Sequence, residues 1–134
     1  LYRVYAKNCN LSETAFWILY CIREREEEAF TQREICGYWF YTPQTVNSAL
    51  KNMTEEGLLT LRAEEDNRKN KRIYLTEKGK EIAERIVVPL MDAERRALAA
   101  LGEQEAEVFL QTMKKHTELF KEEITKLTEG AEPM

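Results

Sequence analysis

The sequence predicts a mainly α-helical fold that carries one small β-hairpin. Gly (5) and Pro (3) are scarce. Apolar residues recur at helical spacing over most of the chain, and only two short stretches alternate as strands do. The 134 residues suit one domain, and 43% hydrophobic with 33% charged residues is typical of a soluble globular protein. No apolar run approaches the length of a membrane span.

The cysteine pattern predicts a reduced, cytoplasmic protein. Cys9, Cys21 and Cys36 form neither paired metal spacings nor the dense disulfide framework of a small secreted domain. We therefore expect no metal and no other cofactor. The chain opens with Leu1 rather than Met, so we also expect that the natural polypeptide begins upstream.

Two helices are predicted at the start of the chain. Residues Leu1 to Lys7 resemble the end of a helix, with Leu1, Val4 and Tyr5 on one side. Ser12 occupies an N-cap position before a second helix. That helix is apolar nearly all round, which is typical of a buried helix. Its apolar residues are Ala15, Phe16, Trp17, Ile18, Leu19, Cys21 and Ile22.

The next two helices form a helix-turn-helix candidate. Thr31 and Glu34 have the spacing of a capping box, which satisfies free N–H groups in the first turn of a helix. Ala29 and Phe30, just before it, are candidates for a very short strand. Thr42 caps the following helix with Pro43 at its first position, and Gly57 is expected to end it. Two short helices joined by a tight turn are typical of DNA-binding proteins.

The exposed face of the second of these helices favours DNA binding. It carries neutral hydrogen-bonding side chains and one cation, with no carboxylate before Glu55. Short polar side chains suit base edges in the major groove, where Asn and Gln can bond adenine. An ordinary solvated helix remains the alternative. The predicted base-reading residues are Gln44, Thr45, Asn47 and Ser48.

A basic β-hairpin is predicted after the helix-turn-helix. Leu58–Leu61 and Ile73–Leu75 are the candidate strands, and Asn67, Arg68 and Lys69 lie at the tip between them. The whole chain has a net charge of −4, yet positions 67 to 80 hold six basic residues and one acidic residue. A hairpin in this place is the wing of a winged helix, and a basic tip can reach phosphates or the minor groove. An exposed polar turn is the alternative.

The C-terminal half predicts a dimer interface. Thr76 caps a helix that extends to about Leu101, and a last helix spans roughly Glu103 to Leu127. Apolar residues on the last helix recur at alternating spacings of four and three, as in a coiled coil. We expect this helix to pair with that of a second copy, and its packing on its own domain is the alternative. The predicted interface residues are Leu1, Tyr5, Leu110, Met113, Phe120, Ile124 and Leu127.

With its elements in this order, the chain resembles the MarR family of dimeric winged-helix transcription regulators. The segment Leu75-Thr76-Glu77-Lys78-Gly79 resembles the family's exit from the wing. Thr45–Leu50 and Glu56-Gly57-Leu58 resemble its recognition helix and the end of that helix. Asn67-Arg68-Lys69 falls where the wing tip usually reads Asp-Arg-Arg. The resemblance covers nearly the whole chain.

The resemblance implies a homodimeric regulator, expected to be a repressor, that binds a pseudo-palindromic operator in double-stranded DNA. Residues 30–81 would form the DNA-binding region, and residues 1–29 and 82–134 would support it and dimerise, all within one unit of residues 1–134. Phosphate contacts are expected from helix N-termini and from Thr31, Thr42, Lys51 and Arg72. The family also implies a small aromatic effector, for which the candidate residues are Tyr2, Tyr5, Trp17 and Tyr20.

Three alternatives stand beside an effector-released DNA-binding regulator. The first is a thiol-based redox regulator of the same fold, and it is disfavoured because none of the three cysteines matches the sensor position of that branch of the family. A winged helix that binds protein is favoured by the acidic net charge. An enzyme is not expected, because His116 is the only histidine and no nucleophile–base pair, phosphate loop or metal cluster is present.

Overall fold

The computed structural model describes residues 1–25, 30–39, 41–63 and 70–130, and it confirms the predicted fold class. Its elements are α1 (Tyr2–Asn8), α2 (Glu13–Glu24), α3 (Gln32–Trp39), α4 (Pro43–Glu55), β1 (Leu59–Arg62), β2 (Arg72–Leu75), α5 (Glu77–Ala100) and α6 (Glu103–Glu129). They fall into two compact units, Leu1–Met91 and Asp92–Met134. Among these helices, none combines the length and apolar character that a membrane crossing requires.

Helix α2 is the central helix of the first unit. The hydroxyl of Ser12 accepts a hydrogen bond from the N–H of Ala15 at 3.1 Å, as an N-cap does. Six of its twelve residues are buried, and Trp17 and Tyr20 are half-buried. The prediction of a helix enclosed by protein is therefore confirmed. Five of its six buried side chains share one core with residues from α3, α4, the hairpin and α5, and the sixth, Phe16, packs with Ala6 and Ile86 in a second cluster.

Helix α3 begins with the predicted capping box. The N–H of Glu34 donates to the Thr31 hydroxyl at 3.2 Å, and the N–H of Thr31 donates to the Glu34 carboxylate at 3.4 Å. Helix α4 begins as predicted, with Thr42 accepting from the N–H of Thr45 and Pro43 in the first turn. On α4 the buried residues Val46, Leu50 and Met53 face the core.

Helix α4 ends in a Schellman motif built around Gly57. The N–H of Leu58 donates to the carbonyl of Met53 at 2.9 Å, and the N–H of Gly57 donates to that of Thr54 at 3.0 Å. Gly57 has a φ of +76°, a left-handed conformation that disfavours residues with a Cβ. The predicted stop at Gly57 is therefore present, and it directs Leu58 into the core.

The hairpin is a two-stranded antiparallel sheet in which Leu59 pairs with Leu75 and Arg62 pairs with Arg72. The first strand begins and ends one residue later than predicted, at Leu59 and Arg62, and the second begins one residue earlier, at Arg72. Arg62 and Arg72 therefore belong to the ladder and not to the loop. Phe30 was a candidate for a short strand, but the sheet is joined there by a single bridge between Thr31 and Arg72. The bridge is accompanied by a hydrogen bond from the N–H of Ile73 to the carbonyl of Phe30 at 2.8 Å. Ala29 lies outside the described residues.

The end of α4 is bonded to the start of α5, and we call this contact the α4–α5 junction (Glu56–Leu58 with Thr76–Gly79). The Thr76 hydroxyl donates to the carbonyl of Gly57 at 2.6 Å and accepts from the N–H of Gly79 at 3.1 Å. The ammonium group of Lys78 donates to the carbonyl of Glu56 at 2.9 Å. A Cβ on Gly79 would overlap the carbonyl oxygen of Leu58. The junction therefore requires a hydroxyl, a long cation and a glycine at fixed positions.

The second unit consists of the end of α5 and the long helix α6. No residue of α6 is buried, although the helix has a regular series of apolar side chains. Phe120 is 58% exposed and Leu127 is 72% exposed. His116 stacks on Phe120 one turn further along, with ring centroids 6.1 Å apart.

Substitution of Gly79 by Ala should destabilise the fold, because the new methyl group would meet the backbone of Leu58. Overpacking of this kind costs about 1–3 kcal/mol of unfolding free energy. Urea unfolding followed by circular dichroism measures the loss.

Gly37→Ala is the matched control. Gly37 lies in α3 with open space around its Cα, so an added Cβ meets nothing there. Its replacement should leave stability unchanged or raise it by up to about 1 kcal/mol, because Ala favours helix more than Gly does. Equal effects at the two glycines would contradict the close contact at the α4–α5 junction.

Substitution of Tyr5 by Phe should destabilise the first unit in a pH-dependent manner. The Tyr5 hydroxyl donates to the carbonyl of Ile86, and burial, with a smaller effect of Cys9, raises the pKa of Tyr5. Because the pKa is higher in the folded state, this stabilisation is complete below about pH 10 and is lost as the pH rises through the folded-state value. We expect Tyr5→Phe to cost about 1 kcal/mol at neutral pH. Urea unfolding at about pH 7 and about pH 11 checks this, since a constant difference would contradict it.

Candidate nucleic-acid interface

The predicted base-reading residues lie together on the exposed side of α4. Gln44, Thr45, Asn47 and Ser48 are exposed, and so is Lys51 one turn further along. The opposite side of the same helix holds the buried residues that anchor it in the core. The helix therefore offers one polar surface to solvent, which carries no carboxylate before Glu55.

The start of α4 combines a cap with an open backbone donor. The hydroxyls of Thr42 and Thr45 share a hydrogen bond of 2.9 Å, and both side chains are exposed. Pro43 has no N–H, and the N–H of Gln44 has no protein partner within the described ranges. The first turn of a helix attracts anions through such donors and through the helix dipole. This end of α4 can thus accept a phosphate.

The start of α3 differs, because its backbone donors are already used. The N–H groups of Gln32 and Arg33 donate to the Lys71 carbonyl at 3.1 Å and to the Asn70 side chain at 3.3 Å. Thr31 is only 6% exposed, and its hydroxyl bonds Glu34. A phosphate contact from Thr31 or from this helix N-terminus would have to displace these protein partners. The prediction for Thr31 therefore stays untested and has little geometric support.

The predicted base reader Asn47 is bonded to α3. Nε2 of Gln32 donates to Oδ1 of Asn47 at 3.2 Å, and this bond links the two helices of the helix-turn-helix on their exposed side. Gln32 was not among the predicted site residues, because a first-turn position within a capping box carries no signal of a contact 15 residues away.

The outer face of the hairpin carries two arginines side by side. Arg62 and Arg72 are directly opposite in the ladder, so both side chains leave the same face as Thr60 and Tyr74. The guanidinium carbon of Arg62 lies 4.5 Å from the ring centroid of Tyr74, a cation–π contact. Arg62 was missed because the predicted strand ended one residue before it. The alternation of apolar and polar residues that includes Leu59 and Leu61 continues to Arg62, and this pattern could have predicted that the strand includes it.

Fewer of the six basic residues between positions 67 and 80 are available for DNA than the sequence indicates. The ammonium group of Lys78 bonds the Glu56 carbonyl in the α4–α5 junction, so its role is structural. Lys80 lies 3.6 Å from the carboxylate of Glu77. Lys71 is exposed and Arg72 is half-buried. The predicted tip residues Asn67, Arg68 and Lys69 lie outside the described residues.

The four candidate effector residues form one aromatic cluster between α1 and α2. The ring of Trp17 lies 4.9 Å from that of Tyr2 and 5.3 Å from that of Tyr20, measured between centroids. Tyr5 packs on Phe16 at 5.9 Å, and Phe16 completes the cluster. The structure thus brings together the residues that the prediction grouped, and they pack against one another.

All of the predicted interface residues except Tyr5 are exposed. Leu1 and the half-buried Tyr5 belong to the first unit. The others are 46% to 72% exposed on α6: Leu110, Met113, Phe120, Ile124 and Leu127. Cys21 is buried, and Cys9 and Cys36 are half-buried free thiols. Within the described part of the chain, no group of His, Cys, Asp and Glu has an arrangement that could hold a metal ion.

Comparisons with known proteins agree with this geometry. Residues 10–69 match the sequence model of the MarR family. The transcription regulator MarR from Oenococcus oeni is similar at 21% identity, with 87% of this chain and 86% of that chain covered and a TM-score of 0.65. A MarR-family protein from Listeria monocytogenes, crystallised with 26-mer DNA, shares 23% identity over 98% of this chain and 87% of its own, with a TM-score of 0.72.

A third similar structure is that of MepR from S. aureus in its DNA-binding conformation. It has 19% identity over 86% of this chain and 84% of its own, with a TM-score of 0.74. A search of curated proteins gave no match. At these identities the structural neighbours show the fold alone, and the match to the MarR family model covers residues 10–69, which is less than half of the chain.

Proposed function

We propose that the chain is a MarR-family transcriptional regulator that binds a pseudo-palindromic DNA operator as a homodimer. In this proposal residues 30–81 contact DNA, and residues 1–29 and 82–134 support that region and dimerise. The Listeria monocytogenes relative was crystallised with DNA, and a MepR–DNA complex is also known.

The observation that carries the proposal is the exposed polar face of α4. Gln44, Thr45, Asn47 and Ser48 supply donors and acceptors of the kind that read base edges in the major groove. An acidic protein can approach a polyanion only through a surface that lacks carboxylates, and this face meets that condition. The Glu34 carboxylate, which belongs to α3, is bonded within its own cap.

Phosphate contacts are proposed on both sides of this face. Thr42 and the free N–H of Gln44 lie at the start of α4, and Lys51 lies further along it. The hairpin contributes Arg72 and, as a new candidate, Arg62, whose guanidinium is held over Tyr74. Arg68 and Lys69 at the tip are proposed to enter the minor groove, on the basis of the sequence alone.

Dimerisation is proposed through α6, because its apolar side chains are exposed along the whole helix. An exposed apolar surface of this extent marks an interaction site in a soluble protein. Their alternating spacing of four and three residues suits a second helix of the same kind. Two-fold symmetry then places two copies of α4 in successive major grooves.

The proposed regulatory role is repression, relieved by a small aromatic effector bound near Tyr2, Tyr5, Trp17 and Tyr20. This proposal is supported by the grouping of these four residues in one aromatic cluster between α1 and α2. A ligand that binds one state of the dimer better would shift the spacing of the reading helices and lower the affinity for DNA. The alternative of a protein-binding winged helix is less favoured, because the exposed face of α4 is polar and not apolar.

Asn47→Ala and Arg62→Ala should affect DNA binding in different ways. Asn47→Ala should lower the affinity for a selected operator by about 1–3 kcal/mol, with little change for unrelated DNA. Arg62→Ala should weaken binding to all duplexes and reduce the slope of log affinity against log salt by about 0.9, since one phosphate contact is lost. Gel-shift titrations at several salt concentrations, with a duplex selected from a random pool, measure both effects.

Arg85→Ala is the matched control for the loss of charge. Arg85 is an exposed arginine of α5 in the same unit as Arg62, and it lies outside the proposed contacts. It should change the salt slope by much less than Arg62→Ala does. Binding that is indifferent to Asn47→Ala and to Arg62→Ala would defeat the proposed interface.

Leu110→Lys or Phe120→Lys should dissociate the dimer. Each places a charge among the exposed apolar residues of α6, where a second helix would have to bury it without a partner. Gln111→Lys introduces the same charge at an exposed polar position of α6 and should leave the dimer intact. Sedimentation equilibrium measures the mass, and a wild-type protein with the mass of one chain would refute the dimer.

A further inference from the structure

The bond between Gln32 and Asn47 limits what Asn47 can offer to a base. A side-chain amide has two donor hydrogens on its nitrogen and two acceptor sites on its oxygen. Oδ1 of Asn47 accepts from Nε2 of Gln32 at 3.2 Å, so one acceptor site is taken. Asn47 is exposed, and its Nδ2 has no protein partner within the described residues. Both donor hydrogens therefore remain available.

Gln32 is itself held in place by the hairpin. Its backbone N–H donates to the carbonyl of Lys71 at 3.1 Å, directly before β2. The preceding residue, Thr31, forms the bridge to Arg72. Gln32 is half-buried, so its side chain has less freedom than that of an exposed residue. One residue thus joins α3 and the hairpin by its backbone and α4 by its side chain.

The fixed orientation of Asn47 changes which base it suits. Bidentate recognition of adenine requires Oδ1 as an acceptor for N6 and Nδ2 as a donor to N7. Guanine presents two acceptors, N7 and O6, to the major groove and requires donors only. Gln32 takes one of the two acceptor sites of Oδ1 and restrains the plane of the amide, while both Nδ2 hydrogens stay free. An Asn held in this way has more donors than acceptors left, and it therefore matches guanine better than adenine.

We propose that Gln32 is a positioning residue that holds Asn47 by its oxygen, so that the operator position read by Asn47 carries guanine and not adenine. This inference rests on the proposed function, because it concerns how the same α4 surface reads DNA. It differs from the adenine contact that the residue type alone suggests.

The test is a selection of DNA sites from a pool of random duplexes by the full chain and by three variants. Asn47→Ala identifies the operator position that Asn47 reads, because base preference is lost there alone. Gln32→Met removes the Nε2 donor at nearly unchanged size and frees the Asn47 side chain. Asn52→Ala is the control, since Asn52 is an exposed amide of α4 with no side-chain hydrogen bond to another described residue.

We expect the wild-type chain to prefer guanine over adenine at that position by roughly tenfold, the worth of one good base contact. Gln32→Met should reduce this ratio to about twofold or less, because the released Asn47 can bond adenine as well. Asn52→Ala should keep the wild-type profile. A residue with only a structural role would lower affinity for all sequences equally and would leave the ratio unchanged.

Asn47→Asp provides a second route if Gln32→Met does not fold. The aspartate keeps an oxygen for Nε2 of Gln32 but lacks the Nδ2 donor, so the preferred base should change from guanine to cytosine, whose N4 is a donor. Adenine at this position in the wild-type site, or an unchanged profile in Gln32→Met, would overturn the inference while DNA reading by α4 stands. A wild-type chain that selects no sequence would instead refute the proposed function.

Discussion

The contact on which the rest of the fold depends is the α4–α5 junction. It joins the end of the exposed helix to the start of the helix that supports it, through the Thr76 hydroxyl, the Lys78 ammonium group and the space left by Gly79. The left-handed Gly57 lets the chain turn back into the core directly after α4. Thr76 and Lys78 bond to backbone carbonyls at the end of α4. The position of this end of α4 therefore does not depend on its own side chains.

A second set of hydrogen bonds connects α3 to the hairpin and to α4. The bridge between Thr31 and Arg72 joins α3 to the hairpin, and the bond between Gln32 and Asn47 joins α3 to α4. The hairpin, α3 and α4 are therefore connected to one another by hydrogen bonds as well as by their common core. A rigid support of this kind lets a few short polar side chains be placed with the accuracy that base recognition needs.

Much of this was predictable because local chemistry and tertiary structure agree. Ser12, Thr31 and Thr42 cap helices as their sequence positions predict, and Gly57 ends α4. Strand ends were less predictable, since Arg62 and Arg72 pair across the ladder although both are polar. Contacts between elements far apart in sequence, such as Gln32 with Asn47 or Lys78 with Glu56, leave no periodic trace. The exposed apolar face of α6 was evident from its spacing, but its partner was not.

The backbone N–H groups at the start of α3 all have protein partners, and this affects how the α3–α4 surface would interact with salt and with the DNA backbone. These amides are satisfied by Lys71, Asn70 and Thr31, all of which belong to the hairpin side or to the cap. A polyanion could therefore bind the N–H groups at this end of α3 only after their hydrogen bonds to Lys71 and Asn70 had broken. Electrostatic attraction to DNA would then come from the guanidinium and ammonium groups, whose side chains are flexible. The backbone amides at the start of α3 would contribute little, because they already have protein partners.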